Sequence, residues 1–240
     1  MTAKERSTIQ ENLAKLYLRL NGYLSSGFII HSDEKKIDGE IDLMAVRFPF
    51  HSQNYTEHNS SSFLEVPENI DFIIAEVKSH GKQLKFNPAL LNQNNIDPWL
   101  QILHWIGLIQ LENVIPIAKE LSKLVQPVEN SHLVNFKSIE IETNFGKVSI
   151  RPILFSPESI DINNADKFIN WTEINDFLWL CLCPNLERVE CGTRYDFTAW
   201  GNELYEIVKA YKERQKNQSK FKNIKELYTD IINIRKQASS

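Results

Sequence analysis

The sequence predicts an α/β protein: a mixed sheet flanked by helices, followed by an α-helical C-terminal extension. Three observations lead there. A stretch with helical spacing precedes three apolar strand runs between residues 27 and 78. A helix then separates those runs from two alternating segments joined by Asn144-Phe145-Gly146. From Asn164 onward the pattern turns helical. The division that follows is a core over residues 1–160 and a helical extension over 161–240.

The first helix is expected over residues 8–21, where Ile9, Leu13, Leu16, Tyr17 and Leu20 recur on one face and Asn21-Gly22 stops it. A strand follows around Gly27–His31, then a charged turn from Asp33 to Gly39. The second strand runs from Glu40 to about Phe48, and the third from Asp71 to Lys78. Between them, residues 49–69 are polar and too long for an ordinary connection, which points to a mobile insertion or a substrate-facing loop. Asp97-Pro98 opens a helix with a capping residue and Pro in the first turn. Trp99, Leu100, Leu103, Ile106 and Leu111 line it, and a further helix spans 117–125. Residues 136–142 and 147–155 alternate as a hairpin around the Asn-Phe-Gly turn. Helices are then expected over 172–183, 195–216 and 223–236.

At 240 residues the chain can bury a substantial core. Its net charge of −4 excludes a molecule-wide attraction for nucleic acid, so any such binding needs a local basic face. Residues 209–225 supply one candidate, with Lys212, Lys216 and Lys220 as the expected phosphate contacts. A solvated helix face is the plain alternative. Cys181, Cys183 and Cys191 lack a second pair or a nearby His to complete a zinc site, and read as reduced thiols of a cytoplasmic protein. Met1 leads into Thr-Ala-Lys-Glu-Arg, with no apolar leader, and no apolar run reaches the ~18 residues of a membrane span.

The chemistry concentrates in two strands. Gly39-Glu40-Ile41-Asp42-Leu43 and Asp71-Phe-Ile-Ile-Ala-Glu-Val-Lys78 are apolar runs carrying charges that a solvated strand would not need. Apolar residues on both parities of the second run suggest a strand covered on both faces. Two-residue alternation puts Glu76 with Lys78, and Glu40 with Asp42. Burying such ions costs several kcal/mol, on the order of the buried-ion penalty, unless each finds a partner or a metal. A structural salt bridge satisfies that condition equally well. For Glu11, the plain alternative is a capping box formed by Thr8-Ile9-Gln10-Glu11.

A Glu on the first helix, an Asp on the second strand and Glu-x-Lys on the third resemble the PD-(D/E)XK nuclease superfamily, with Ile41 in place of the Pro in its name. Gly22-Tyr23 after the first helix and the compact Glu-x-Lys are similar to the Mrr-like and Holliday-junction-resolvase-like branches. Gln101 and Trp105 resemble the Gln-x-x-x-Tyr helix of RecB-type nucleases, with Trp replacing Tyr. The resemblance implies a restriction-endonuclease-like core and a metal-dependent nuclease, with DNA cut internally as the expected activity. It implies that Asp42 and Glu76, with the carbonyl of Val77, ligate Mg²⁺ or Mn²⁺, to which oxygen donors are suited. Lys78 would orient and help deprotonate the attacking water, and Glu11 would bind a second metal or position that water. The alternative is a nuclease-fold protein that binds nucleic acid or a partner without cleaving. A duplex substrate would call for a homodimer, since one site cuts one strand.

Overall fold

The computed structural model describes residues 1–32, 36–51, 68–79, 84–126, 137–160, 168–183 and 201–238. Helix α1 (Ala3–Leu20) starts before the expected position. Thr2 caps it, its side chain accepting from the Glu5 amide while Glu5 reaches back to the Thr2 amide. Thr8 lies inside the helix and donates to the Lys4 carbonyl. The alternative capping box at Thr8–Glu11 therefore does not form, and Glu11 sits mid-helix, where the Ser7 hydroxyl donates to its Oε1 at 3.0 Å.

The chain then forms an antiparallel meander of β1 (Leu24–His31), β2 (Ile37–Arg47) and β3 (Ile70–Val77). Three helices follow: the single turn α2 (Pro88–Leu91), α3 (Asp97–Ile106) and α4 (Leu111–Leu124). Asp97 is the first residue of α3 and Ile96 its cap, one position from the expectation. Gly107 ends α3 at φ +67°, a left-handed conformation that costs glycine little, so Leu111 begins a separate helix. The hairpin of β4 (Ile139–Thr143) and β5 (Gly146–Ser156) comes next. β5 lies parallel to β3, which the three-helix crossover makes possible.

A two-residue strand, β6 (Ile169–Asn170), adds to the far end of β5 and runs directly into α5 (Trp171–Leu182). Neither α2 nor β6 has a sequence signal long enough to be foreseen. Helices α6 (Asn202–Lys216) and α7 (Ile224–Ala238) complete the described chain. The result is a mixed six-stranded sheet, ordered β1-β2-β3-β5-β4 with β6 beside β5, flanked by helices.

β3 is covered on both faces, as its apolar run predicts. Ile73 and Ala75 pack into one core with α1 and α5–α7. Phe72 and Ile74 pack into the other with α3 and α4. The C-terminal helices thus share a core with the first helix. Leu204, Ile207, Tyr211, Ile224, Leu227, Ile231 and Ile234 are all buried in it. Gln10 and Tyr228 reinforce the packing, both reaching Oε1 of Glu158 at 3.1 Å. Among the described residues no helix is long and apolar enough to cross a membrane.

Candidate metal centre

Asp42 reaches the sheet's end through an irregularity. From Ser26 to Phe28 the ladder advances two residues on β1, while on β2 it advances three, from Met44 to Ile41. The extra residue falls in the Asp42–Leu43 stretch and makes a β-bulge, a device that re-aims side chains. Its effect is visible in the packing. Ile41 and Met44 join one core, and Leu43 and Ala45 the other. Counting in twos would put Ile41 with Leu43, so the faces of Glu40 and Asp42 cannot be read from simple alternation.

The re-aimed Asp42 closes β2 onto β3. Its Oδ2 accepts the Val77 amide at 2.6 Å, just past the Leu43–Ala75 pair. Glu76 is the residue between, with 1% of its surface exposed. Lys78 donates from Nζ to Glu76 Oε2 at 2.5 Å. Glu76 Oε1 is buried and has no hydrogen-bond partner among the described residues.

The electrostatics follow from this packing. Burial pushes the Glu76 carboxyl up to about 7, opposed chiefly by Lys78 and reinforced by the charge of Asp42. A weak pull from the Asn87 backbone amide also favours the carboxylate. Asp42 is raised too, first by burial, against the Val77 amide and Lys78. Glu11 and Glu40 add to that rise, so Glu11 lies within electrostatic reach of Asp42 from α1. The structure therefore brings Asp42, Glu76, Lys78 and Glu11 into one neighbourhood, with Glu40 exposed at its rim.

Asn87 braces this corner, and the sequence does not single it out. Its side chain caps α2 by accepting from Ala89 at 2.9 Å and donates to the Glu40 carbonyl at 3.2 Å. A Cβ on Gly39 would stand 2.8 Å from Asn87 Nδ2, so a glycine there lets β2 and α2 approach.

Comparison with protein-family models, with curated proteins and with solved structures finds no match.

Among the described residues no group of three or more His, Cys, Asp or Glu side chains is placed to hold a metal ion. The ligand set implied above needs only two carboxylates and a backbone carbonyl. Two features suit it. Glu76 presents a desolvated oxygen with no protein partner, and Asp42 grips the backbone of Val77, the residue whose carbonyl completes the set.

The other sequence expectations find different surroundings. Lys212 donates to the Leu182 carbonyl at the end of α5, and Lys220 pairs with Asp176. Lys216 is exposed. Gln101 clasps the end of β1, accepting from the His31 amide at 2.9 Å and donating to its carbonyl at 2.7 Å. Trp105 is exposed beside Phe28, whereas Trp99 is fully buried. Cys191 and most of the 49–69 segment lie outside the described residues.

At the opposite end of β3 a second charged group went unforeseen. Asp71, fully buried, accepts from Arg151 Nε at 2.9 Å, from Arg151 Nη2 and from the Tyr23 hydroxyl. This bidentate pair ties β3 to its parallel neighbour β5. No local pattern marks it, because its partners are 80 residues apart.

Proposed function

We propose that the chain is a divalent-metal-dependent nuclease with a PD-(D/E)XK-type site on a restriction-endonuclease-like core. The observation that carries this reading is the convergence of Asp42, Glu76 and Lys78 where the pairing of β2 with β3 ends, with one buried Glu76 oxygen unpartnered among the described residues. Asp42, Glu76 and the Val77 carbonyl would hold Mg²⁺ or Mn²⁺. A bound cation there neutralises charge on a phosphodiester and favours hydroxide over water.

The remaining work belongs to the chain's own groups. Lys78 keeps Glu76 partly ionised against its burial, so the carboxylate is available near neutral pH. The Val77 amide does the same for Asp42. Lys78, a cation beside the two carboxylates, is placed to orient a water and to stabilise developing negative charge. Glu11 is the acid available to position that water from α1. DNA is the proposed substrate, and internal cleavage the proposed mode.

A second reading has an observation in its favour. Glu76 is sealed from solvent and paired with Lys78, as in a structural ion pair. On that reading the protein binds nucleic acid or a partner without cleaving it.

Incubation with Mg²⁺ or Mn²⁺ and a panel of labelled duplex, branched and single-stranded DNA and RNA separates the two. Cleavage that disappears in Asp42→Asn supports the nuclease. No cleavage of any substrate, together with no metal-dependent change in melting temperature, would leave the ion-pair reading in its place.

A further inference from the structure

Two buried side-chain atoms in the described chain have no hydrogen-bond partner: Glu76 Oε1 and Ser156 Oγ. Buried polar groups are nearly always satisfied, by protein or by ordered water, so each such atom calls for an explanation. Their positions are related. β3 and β5 run parallel, with Glu76 beside Leu154 and Val77 beside Phe155. The Lys78 amide continues the ladder by donating to the Phe155 carbonyl at 2.8 Å. Ser156 therefore stands one strand over from Lys78, in the row just beyond Glu76.

The faces agree as well. Leu154 packs in the same core as Phe72 and Ile74, and strand alternation puts Glu76 and Ser156 on that face. Lys78, two residues further along, holds the other oxygen of the Glu76 carboxylate, Oε2. Neither Glu76 nor Ser156 is open to bulk solvent, with 1% and 0% exposure. A carboxylate oxygen and a hydroxyl on one face of adjoining strands offer the two polar partners that a buried water needs.

We propose that Glu76 Oε1 and Ser156 Oγ share one buried water molecule, and that through it Ser156 orients Glu76 toward the bound cation. Ser156 is thus a positioning residue, not a ligand. This inference rests on the metal-site reading above. The hydroxyl donates to the water or accepts from it, and the water donates to the carboxylate. The water takes one lone pair of Oε1 and leaves the other for the cation, while Lys78 holds Oε2. A carboxylate fixed at both oxygens loses less freedom when it binds a metal, and outer partners of this kind set metal affinity.

The test is Mn²⁺ binding measured by titration calorimetry on wild type, Ser156→Ala and Asp42→Asn, with melting temperatures taken without metal. Ser156→Ala is expected to weaken Mn²⁺ binding by about tenfold, within the range for loss of an outer partner. Its metal-free melting temperature should fall modestly, since alanine leaves the shared water one hydrogen bond short. Equal Mn²⁺ affinity in wild type and Ser156→Ala overturns this inference and leaves the metal site standing. No Mn²⁺ binding by wild type overturns the metal site and the inference with it. A crystal structure of the wild type gives an independent readout should Ser156→Ala fail to fold. A water within hydrogen-bond distance of both atoms is expected, and a direct contact between them, or an apolar atom filling the space, would rule it out.

Discussion

Glu76 lies on β3 and Lys78 just past its end, and the ammonium of Lys78 lies 2.5 Å from Oε2 of Glu76. The pairing is unequal. Glu76 is sealed in the core, whereas a third of the Lys78 side chain reaches solvent. A buried acid thus leans on a half-exposed base, and burial still prevails in setting its proton affinity. That imbalance makes the site responsive to pH.

The pH dependence has a definite sign. Burial pushes the Glu76 carboxyl up to about 7 in the fold, against 4.5 for a free Glu, so between those values the folded chain holds a proton that the unfolded chain releases. Its contribution is complete below about pH 4.5 and is lost as pH rises through 7. The loss is on the order of 3 kcal/mol for a shift of this size. Asp42, also raised, acts in the same direction. Metal-free wild type should therefore melt progressively lower from pH 5 to pH 8 as far as these groups contribute. Glu76→Gln should flatten that slope, and an identical slope in the variant would refute the assignment.

Divalent cations should reverse the trend. A ligand that binds only the folded state adds about 2.7 kcal/mol at a hundredfold excess over its dissociation constant. Because the metal competes with the proton for Glu76, the rise in melting temperature with Mg²⁺ should be larger at pH 8 than at pH 5. Asp42→Asn should abolish it. A rise of the same size at both pH values would point to cation binding elsewhere on the surface.

Asp42 carries a structural duty besides its proposed chemical one. Asp42→Ala relieves repulsion from Glu76, Glu11 and Glu40 but leaves the Val77 amide without its acceptor. Loss of such a bond costs about 1–3 kcal/mol when the donor stays buried. Asp42→Asn keeps an acceptor oxygen and should be the more stable of the two, with cleavage lost in both. Equal melting temperatures for Ala and Asn would mean that the bond to Val77 contributes nothing.

Much of this architecture is legible in the sequence because the signals are local. The two-sided apolar run of β3 marks a central strand, and Asn144-Phe145-Gly146 marks the β4–β5 hairpin. The start of α1 is ambiguous for an equally local reason. Thr2…Glu5 and Thr8…Glu11 both have the capping-box spacing, and the earlier one forms. Pairing across the sheet leaves no such trace. The bulge at Asp42–Leu43 arises from the match of β2 to β1, so the aim of Asp42 could not be counted out. The partners of Lys212 and Lys220 likewise come from α5, once α5 and α6 share a core.

The Asp71–Arg151 pair gives the sharpest stability prediction. Removing one partner of a buried ion pair strands the other, at about 3–5 kcal/mol. Asp71→Ala should lose roughly that much, because Arg151 is largely buried and the Tyr23 hydroxyl loses its acceptor as well. The double variant Asp71→Ala/Arg151→Met should recover part of the loss, which denaturant unfolding can measure. If Asp71→Ala unfolds like wild type, the pair does not hold β3 to β5.

The basic segment at the end of α6 calls for a narrower test than its composition suggests. Reversing Lys212 would set a carboxylate against the Leu182 carbonyl in a half-buried position, and reversing Lys220 would face Asp176 with a like charge. Either change could weaken nucleic-acid binding merely by damaging the fold. Lys216, Lys222 and Lys225 are exposed, and their ammonium groups can be reversed without that confusion. If they meet phosphates, each Lys→Glu change should weaken binding of any sequence alike. It should also reduce the slope of log affinity against log salt by about 0.9 per lost duplex contact. Titrations at several salt concentrations, with melting temperatures alongside, read both effects. An unchanged slope in the triple variant would place the nucleic-acid face elsewhere on the molecule.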